Sequence, residues 1–189
     1  MDARLNLWAI PAAALLLGSI APASAVRGTP PQLLELSVKA TFLPKFLGYI
    51  AWPPAAAPAA SETIQLCVIG RDPFGARLDE AVAGQRVDQR PVAVRRVDTT
   101  QAAAGCRLAF VGGSATQPAA AALKALQGTP VLTVTDSRLG PARGMVHFDL
   151  KDGRVRFHID DASAASSDLS ISSRLLSLAL TVKPRERTK

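Results

Sequence analysis

The stretch Leu66–Gly75 reads LCVIGRDPFG: an apolar run, a glycine, a polar turn and the opening of a helix. An apolar strand that turns at a glycine into a helix is the repeating step of an α/β domain. The same step forms the entrance to many nucleotide sites, so its detail matters. GRDPFG has neither the G-x-G-x-x-G spacing that lets backbone approach a pyrophosphate nor the lysine of a P-loop. Gly70 followed by Asp72-Pro73 fits a plain turn into a helix. Cys67, inside the strand, then needs another explanation.

The same step recurs along the chain. Apolar runs at Ile64–Ile69, Val92–Val97, Leu108–Val111 and Val131–Val134 read as strands, with helical stretches over 73–83 and 117–127. Pro118 suits the first turn of the second helix. Strands alternating with helices predict an α/β domain with a largely parallel central sheet. Upstream, Leu36, Leu43, Leu47 and Ile50, with Ala40 between, fall at helical spacing. They predict a helix from Gln32 to Trp52 that Pro44 should kink. PPAAAPAA, residues 53–60, cannot continue it and reads as an irregular connector. No internal repeat is visible.

Compartment sets the chemistry open to Cys67. Residues 1–25, MDARLNLWAIPAAALLLGSIAPASA, have a short basic start at Arg4 and a charge-free apolar stretch from Trp8 to Ile20. They end in Ala23-Ser24-Ala25, the small-x-small pattern of a signal-peptidase site. Pro11, Gly18 and Pro22 interrupt the run, which is shorter than the roughly 20 residues of a spanning helix. A cleaved signal peptide, 1–25, is expected, and with it export into an oxidising space. No cysteine follows the cleavage site, so no lipid anchor is expected there.

The 164 residues that remain suffice for one domain with a real core. The net charge of +7 survives cleavage, because Asp2 and Arg4 cancel. Part of it lies in the basic tail 183–189, KPRERTK, read as solvated rather than as a weak membrane-surface contact. An exported protein has little access to nucleic acid, so none is expected as a partner. The expected organisation is a flexible stretch 26–31, a domain 32–182 and that tail.

Cys67 and Cys106 are the only cysteines. An even number in an exported chain argues for a disulfide. Two cysteines without C-x-x-C spacing or a nearby histidine make a poor zinc site. The bridge is either a structural brace or a redox switch.

After Gly144 the pattern changes. GMVHFDLKDGRVRFHID alternates strictly, with Val146, Phe148 and Leu150, then Val155, Phe157 and Ile159, on one face. Asp152-Gly153 is a strong hairpin signal. That turn pairs Lys151 with Arg154, His147 with His158 and Asp149 with Arg156. The two histidines of the chain become cross-strand neighbours, with Asp160 a diagonal step away. Such a pair suits a metal or a pH-sensitive site. Lacking a fixed third ligand, it is read as the exposed polar face of an amphipathic hairpin, and no metal is expected.

The last stretch, DLSISSRLLSLALTVK, aligns Ile171, Leu175, Leu178 and Val182, with Leu169, Leu176 and Leu180 beside them. It predicts a closing helix packed on the sheet, capped by Asp168 or Ser170. Ser170, Ser172, Ser173 and Ser177 lack a G-x-S-x-G elbow and a histidine in triad context. They fill the polar face. No catalytic residue and no cofactor site is assigned.

Six pieces occur in the order of the YfiR-like periplasmic proteins: VKATFLPKFLGYIAWP (38–53), LCVIGRDPFG (66–75), CRLAFVG (106–112), VLTVTD (131–136), RGMVHFDLKDGRVRFHID (143–160) and LSISSRLLSLA (169–179). The chain resembles that family over about 38–182. The resemblance implies an α/β sandwich, often dimeric, that represses an inner-membrane diguanylate cyclase by binding its periplasmic sensory domain. It further implies that an OmpA-like outer-membrane lipoprotein can sequester the repressor. Cys67 and Cys106 match cysteines of the family, whereas a second pair that some members carry is missing. Pro44 and Asp160-Asp161, where an Asn is common, are further departures.

Three classes of function follow. A non-catalytic regulator of cyclic-di-GMP signalling and biofilm formation leads. A periplasmic small-ligand-binding accessory protein is the alternative, because α/β sheets open crevices at strand carboxyl ends. An enzyme is not expected, since no nucleophile pairs with a base.

Overall fold

The computed structural model describes residues 29–56 and 62–186. The expected signal peptide, residues 26–28 of the flexible stretch, residues 57–60 of the connector and residues 187–189 of the tail lie outside them.

The first helix, α1 (Pro30–Leu47), starts two residues earlier than its apolar spacing indicates. Two prolines suit its first turn, and the Gln32 side chain accepts the Thr29 N–H, satisfying a donor at the helix start. Pro44 lies inside, near the carboxyl end, where the lost hydrogen bond costs little helix. The helix stops at Leu47 rather than Trp52, because Ile50–Ala51 (β1) pairs with Ser170–Ile171 (β9) in a small antiparallel sheet.

The main sheet has eight strands. In chain order they are β2 (Ile64–Gly70), β3 (Arg86–Val87), β4 (Arg90–Val97), β5 (Cys106–Gly113), β6 (Leu132–Asp136), β7 (Val146–Lys151), β8 (Arg154–Asp160) and β10 (Thr181–Lys183). Across the sheet the order is β10-β8-β7-β6-β5-β2-β4-β3. The neighbours from β4 through β7 are parallel. The sheet is therefore largely parallel, as the alternating pattern predicts. The helices α2 (Ala76–Val82) and α3 (Ala119–Leu126) fall inside the expected stretches.

Both faces of the sheet are covered. Leu66, Val68, Leu108, Phe110, Leu132 and Val134 pack under α1 and α2 with Leu43, Phe46, Leu47 and Leu78. On the other face Cys67, Ile69, Ala109 and Val111 pack under α3 through Ala122 and Leu126. Double coverage explains why the centres of β2 (66–69) and β5 (108–111) read as continuous apolar runs.

The hairpin β7–β8 has the expected register: His147 opposite His158, Asp149 opposite Arg156 and Lys151 opposite Arg154. Asp152 (φ 52°) and Gly153 (φ 69°) supply the left-handed turn that matches strand twist. A second turn of this kind, Asp88-Gln89 with φ of 49° and 66°, adds β3 antiparallel to β4.

The closing segment departs from its helical spacing. Only one turn, α5 (Ser173–Leu176), is helical, and its start is capped by the Ser172 hydroxyl, not by Asp168 or Ser170. Ile171 is taken by the β1–β9 pair, Leu178 is exposed, and Thr181–Lys183 forms an edge strand parallel to β8. A short helix, α4 (Asp161–Ala165), precedes it. The start of the tail is solvent-exposed yet tethered: Lys183 binds Asp160 at 3.1 Å, and Arg185 holds the buried Asp161 at 2.7 and 2.8 Å. Asp160 and Asp161 thus anchor residues 183–185.

Candidate functional site

The turn after β2 is closed by its own side chains. Asp72 Oδ1 accepts from the amides of Phe74 (2.7 Å) and Gly75 (3.2 Å), occupying the donors a phosphate would need. Its other oxygen accepts from Arg96 Nε at 2.7 Å, and the Arg96 guanidinium also grips Asp79 and the Gly75 carbonyl. The hydrogen bond to Asp79, and that to Asp72, raise the Arg96 pKa against the opposing effect of burial. The arrangement fastens α2 to β4. It is a structural turn.

Cys67 and Cys106 are joined by a disulfide across the adjacent parallel strands β2 and β5, with Cα atoms 5.8 Å apart. Both residues are buried against Ala103 beneath the α3 face. Arg95 Nη2 lies 3.3 Å from the Cys106 sulfur. Thiol exchange needs an attacking thiolate in line with the bridge, so a bridge buried on both sides reacts only when the domain opens. This geometry suits a brace.

The histidine pair does form, but not on an exposed face. One row crosses four strands in register: Thr135, His147, His158 and Thr181. His147 is buried, its Nδ1 2.8 Å from the Thr135 hydroxyl, which in turn accepts the Gly144 amide at 2.9 Å. His158 Nδ1 meets the Thr181 hydroxyl at 2.7 Å, and its Nε2 is 3.5 Å from Asp149. The edge strand β10 and the segment around Gly144 cover a face that the hairpin alone would expose. Among the described residues no group of three or more His, Cys, Asp or Glu is placed to hold a metal ion.

Burial lowers the His147 pKa, and the charges of Arg143 and His158 add to the effect, while Asp136 and Asp149 pull the other way. The unfolded chain takes up a proton near the ordinary histidine value of about 6.5, the folded chain only lower. Protonation therefore favours the unfolded state: full stability holds above about pH 6.5 and declines as pH falls through that value. His147→Gln should flatten the fall in urea midpoint between pH 7 and 5.5. Equal slopes in the variant and the parent would contradict this.

Spacing did not reveal the most charged interior site. Lys39 on α1 is completely buried, its Nζ 2.6 Å from Glu35 and 2.8 and 2.7 Å from the two oxygens of Asp136 at the end of β6. Glu35 also accepts from Arg138 Nε at 2.7 Å, and Asp136 caps the following 3-10 turn through the Arg138 amide at 3.0 Å. Two positive and two negative side chains cancel. Burial opposes the ionisation of Glu35, but the bonds and charges of Arg138 and Lys39 outweigh it and hold the carboxyl below its ordinary value. With three charge-assisted hydrogen bonds and no access to solvent, Lys39 cannot meet a substrate. It locks α1 to the sheet. The sequence signal was there: Glu35 and Lys39 stand four apart on a helix side that also carries Leu36, Ala40 and Leu43.

Among the described residues no helix is long and apolar enough to cross a membrane. A comparison with curated protein sequences returns no match. Residues 36–180, from α1 to the threshold of β10, match the model of the YfiR/HmsC-like family (DUF4154), and the chain belongs to that family.

Proposed function

We propose that this chain is a non-catalytic periplasmic regulator that represses an inner-membrane diguanylate cyclase by binding its periplasmic sensory region, and so restrains cyclic-di-GMP and biofilm formation. The observation that carries the proposal is the family membership, because the family is periplasmic and generally regulatory. The buried disulfide fits export into an oxidising space. The interior ionic groups fit a regulator too: Lys39, Glu35 and Asp136 are spent on one another. On this reading an OmpA-like outer-membrane lipoprotein is a second partner that sequesters the regulator, and the chain can act as a homodimer.

A second reading, a periplasmic small-ligand-binding accessory protein, is favoured by one feature, a crevice at the carboxyl ends of β2, β5 and β6. Co-purification separates the two. The tagged mature protein, cross-linked in its own periplasm, should bring down an inner-membrane protein with a GGDEF domain. Repeated recovery of transport components, with no GGDEF protein, would favour the accessory reading.

A further inference from the structure

The chain leaves β2 through α2 on one face of the sheet and leaves β5 through α3 on the other. Neighbouring strands whose connections depart to opposite faces open a crevice at their carboxyl ends, the usual ligand position in open α/β sheets. Two adjoining cavities of about 560 and 380 Å³ lie there, sharing Pro118, Ala119 and Leu139. Each is of the size that holds a small ligand.

The floor of this crevice is backbone. A Cβ on Gly112 would sit 2.0 Å from the Arg71 carbonyl oxygen, and one on Gly70 would sit 2.4 Å from Gly113. The Arg71 amide donates to the Gly113 carbonyl at 2.9 Å, so the floor is fixed before any ligand arrives. The walls are small and apolar: Pro118, Ala119, Ala120, Leu139 and Pro141. The polar side chains at the edge are already committed. Asp136 is held by Lys39 and the Arg138 amide, Thr135 by His147 and Gly144, and Ser114 by the Gln117 amide. The Arg71 guanidinium is exposed and has no partner among the described residues.

We propose that this crevice binds a small organic anion with a compact apolar body, the anionic group on Arg71 and the body against the alanine and proline wall. The assignment is independent of the regulatory reading. It follows from complementarity: one uncommitted cation beside an apolar trough with a rigid floor recognises an amphipathic acid better than a sugar, a cation or a neutral apolar solute.

The test uses 8-anilinonaphthalene-1-sulfonate as probe on the folded mature protein, with octanoate as competitor. One probe should bind per chain and be displaced by octanoate. Arg71→Gln should weaken the probe about three- to fivefold, the upper part of the range of a solvent-exposed charge pair. The neutral N-phenyl-1-naphthylamine should be unaffected by that change. Ala120→Trp, an exposed position on the wall, should abolish binding of both probes at an unchanged urea midpoint, and Lys124→Gln, near the far end of α3, should do nothing. Unsaturable binding, or binding indifferent to Ala120→Trp, would overturn the site. Loss in Ala120→Trp with no change in Arg71→Gln would overturn the anion assignment.

Discussion

The double variant Cys67→Ser/Cys106→Ser should lose about 2–5 kcal/mol of folding stability, the usual loss for a small exported domain deprived of its native bridge. The bridge ties residues 39 apart in sequence and joins two adjacent strands in the middle of the sheet. On the chain-entropy model, closing a loop of about 40 residues in the unfolded state is worth roughly 4 kcal/mol. A domain typically has only about 5–15 kcal/mol in all, so the folded population should fall steeply and proteolysis in the periplasm should follow. Urea unfolding of parent and variant, both purified from the periplasm, measures the difference. A loss below about 1 kcal/mol would mean that the bridge constrains little, and the redox-switch reading would regain ground.

Lys39→Met should be comparably damaging, for an electrostatic reason. Methionine fills much of the lysine volume, but it strands the Asp136 carboxylate in the interior and leaves Glu35 with Arg138 alone. Removing one member of a buried ionic network typically costs about 3–5 kcal/mol, because the charge left behind is desolvated without compensation. Converting both ends, Lys39→Met with Asp136→Leu, should restore much of that loss, since a buried pair exchanged for packed apolar groups is often neutral. Urea midpoints at pH 7 decide the matter. If the single and double variants are equally unstable, the damage is steric and the electrostatic account of the lock fails.

Much of the architecture was legible where a local pattern and its long-range partner agree. The centres of β2 (66–69) and β5 (108–111) are apolar because both faces of the sheet are covered there, and the spacing of the strands with intervening helices announces a parallel sheet. The hairpin announces itself through Asp152-Gly153, which fixes the register down to the His147–His158 pair. The partners of the two histidines were not legible: Thr135 on β6 meets His147, and Thr181, on an edge strand 23 residues after His158, meets His158.

That strand also accounts for the overturned closing helix. Residues 169–182 carry a helical repeat, yet Leu169, Ile171 and Leu175 enter the core while the residues around them go to different distant partners or to none. Ile171 pairs with Ile50, Val182 aligns with Ile159 on the sheet edge, and Leu178 stays in solvent. Tertiary pairing overrides a periodicity that, over so short a span, is worth little in helix propensity. The ionic lock was hidden for a related reason. Glu35 and Lys39 mark themselves as a charged pair on an apolar helix, but their counterpart Asp136 lies 97 residues from Lys39. Only the fold brings them together.

The regulatory account is tested most directly by cyclic-di-GMP levels in a strain lacking this protein, measured with and without the gene for the co-purifying GGDEF protein. A repressor acts by occupancy, so its deletion should raise the nucleotide and biofilm formation in the presence of that cyclase, and removing the cyclase as well should return both to the parental level. An unchanged nucleotide level on deletion, or an equal rise without the cyclase, would contradict the account.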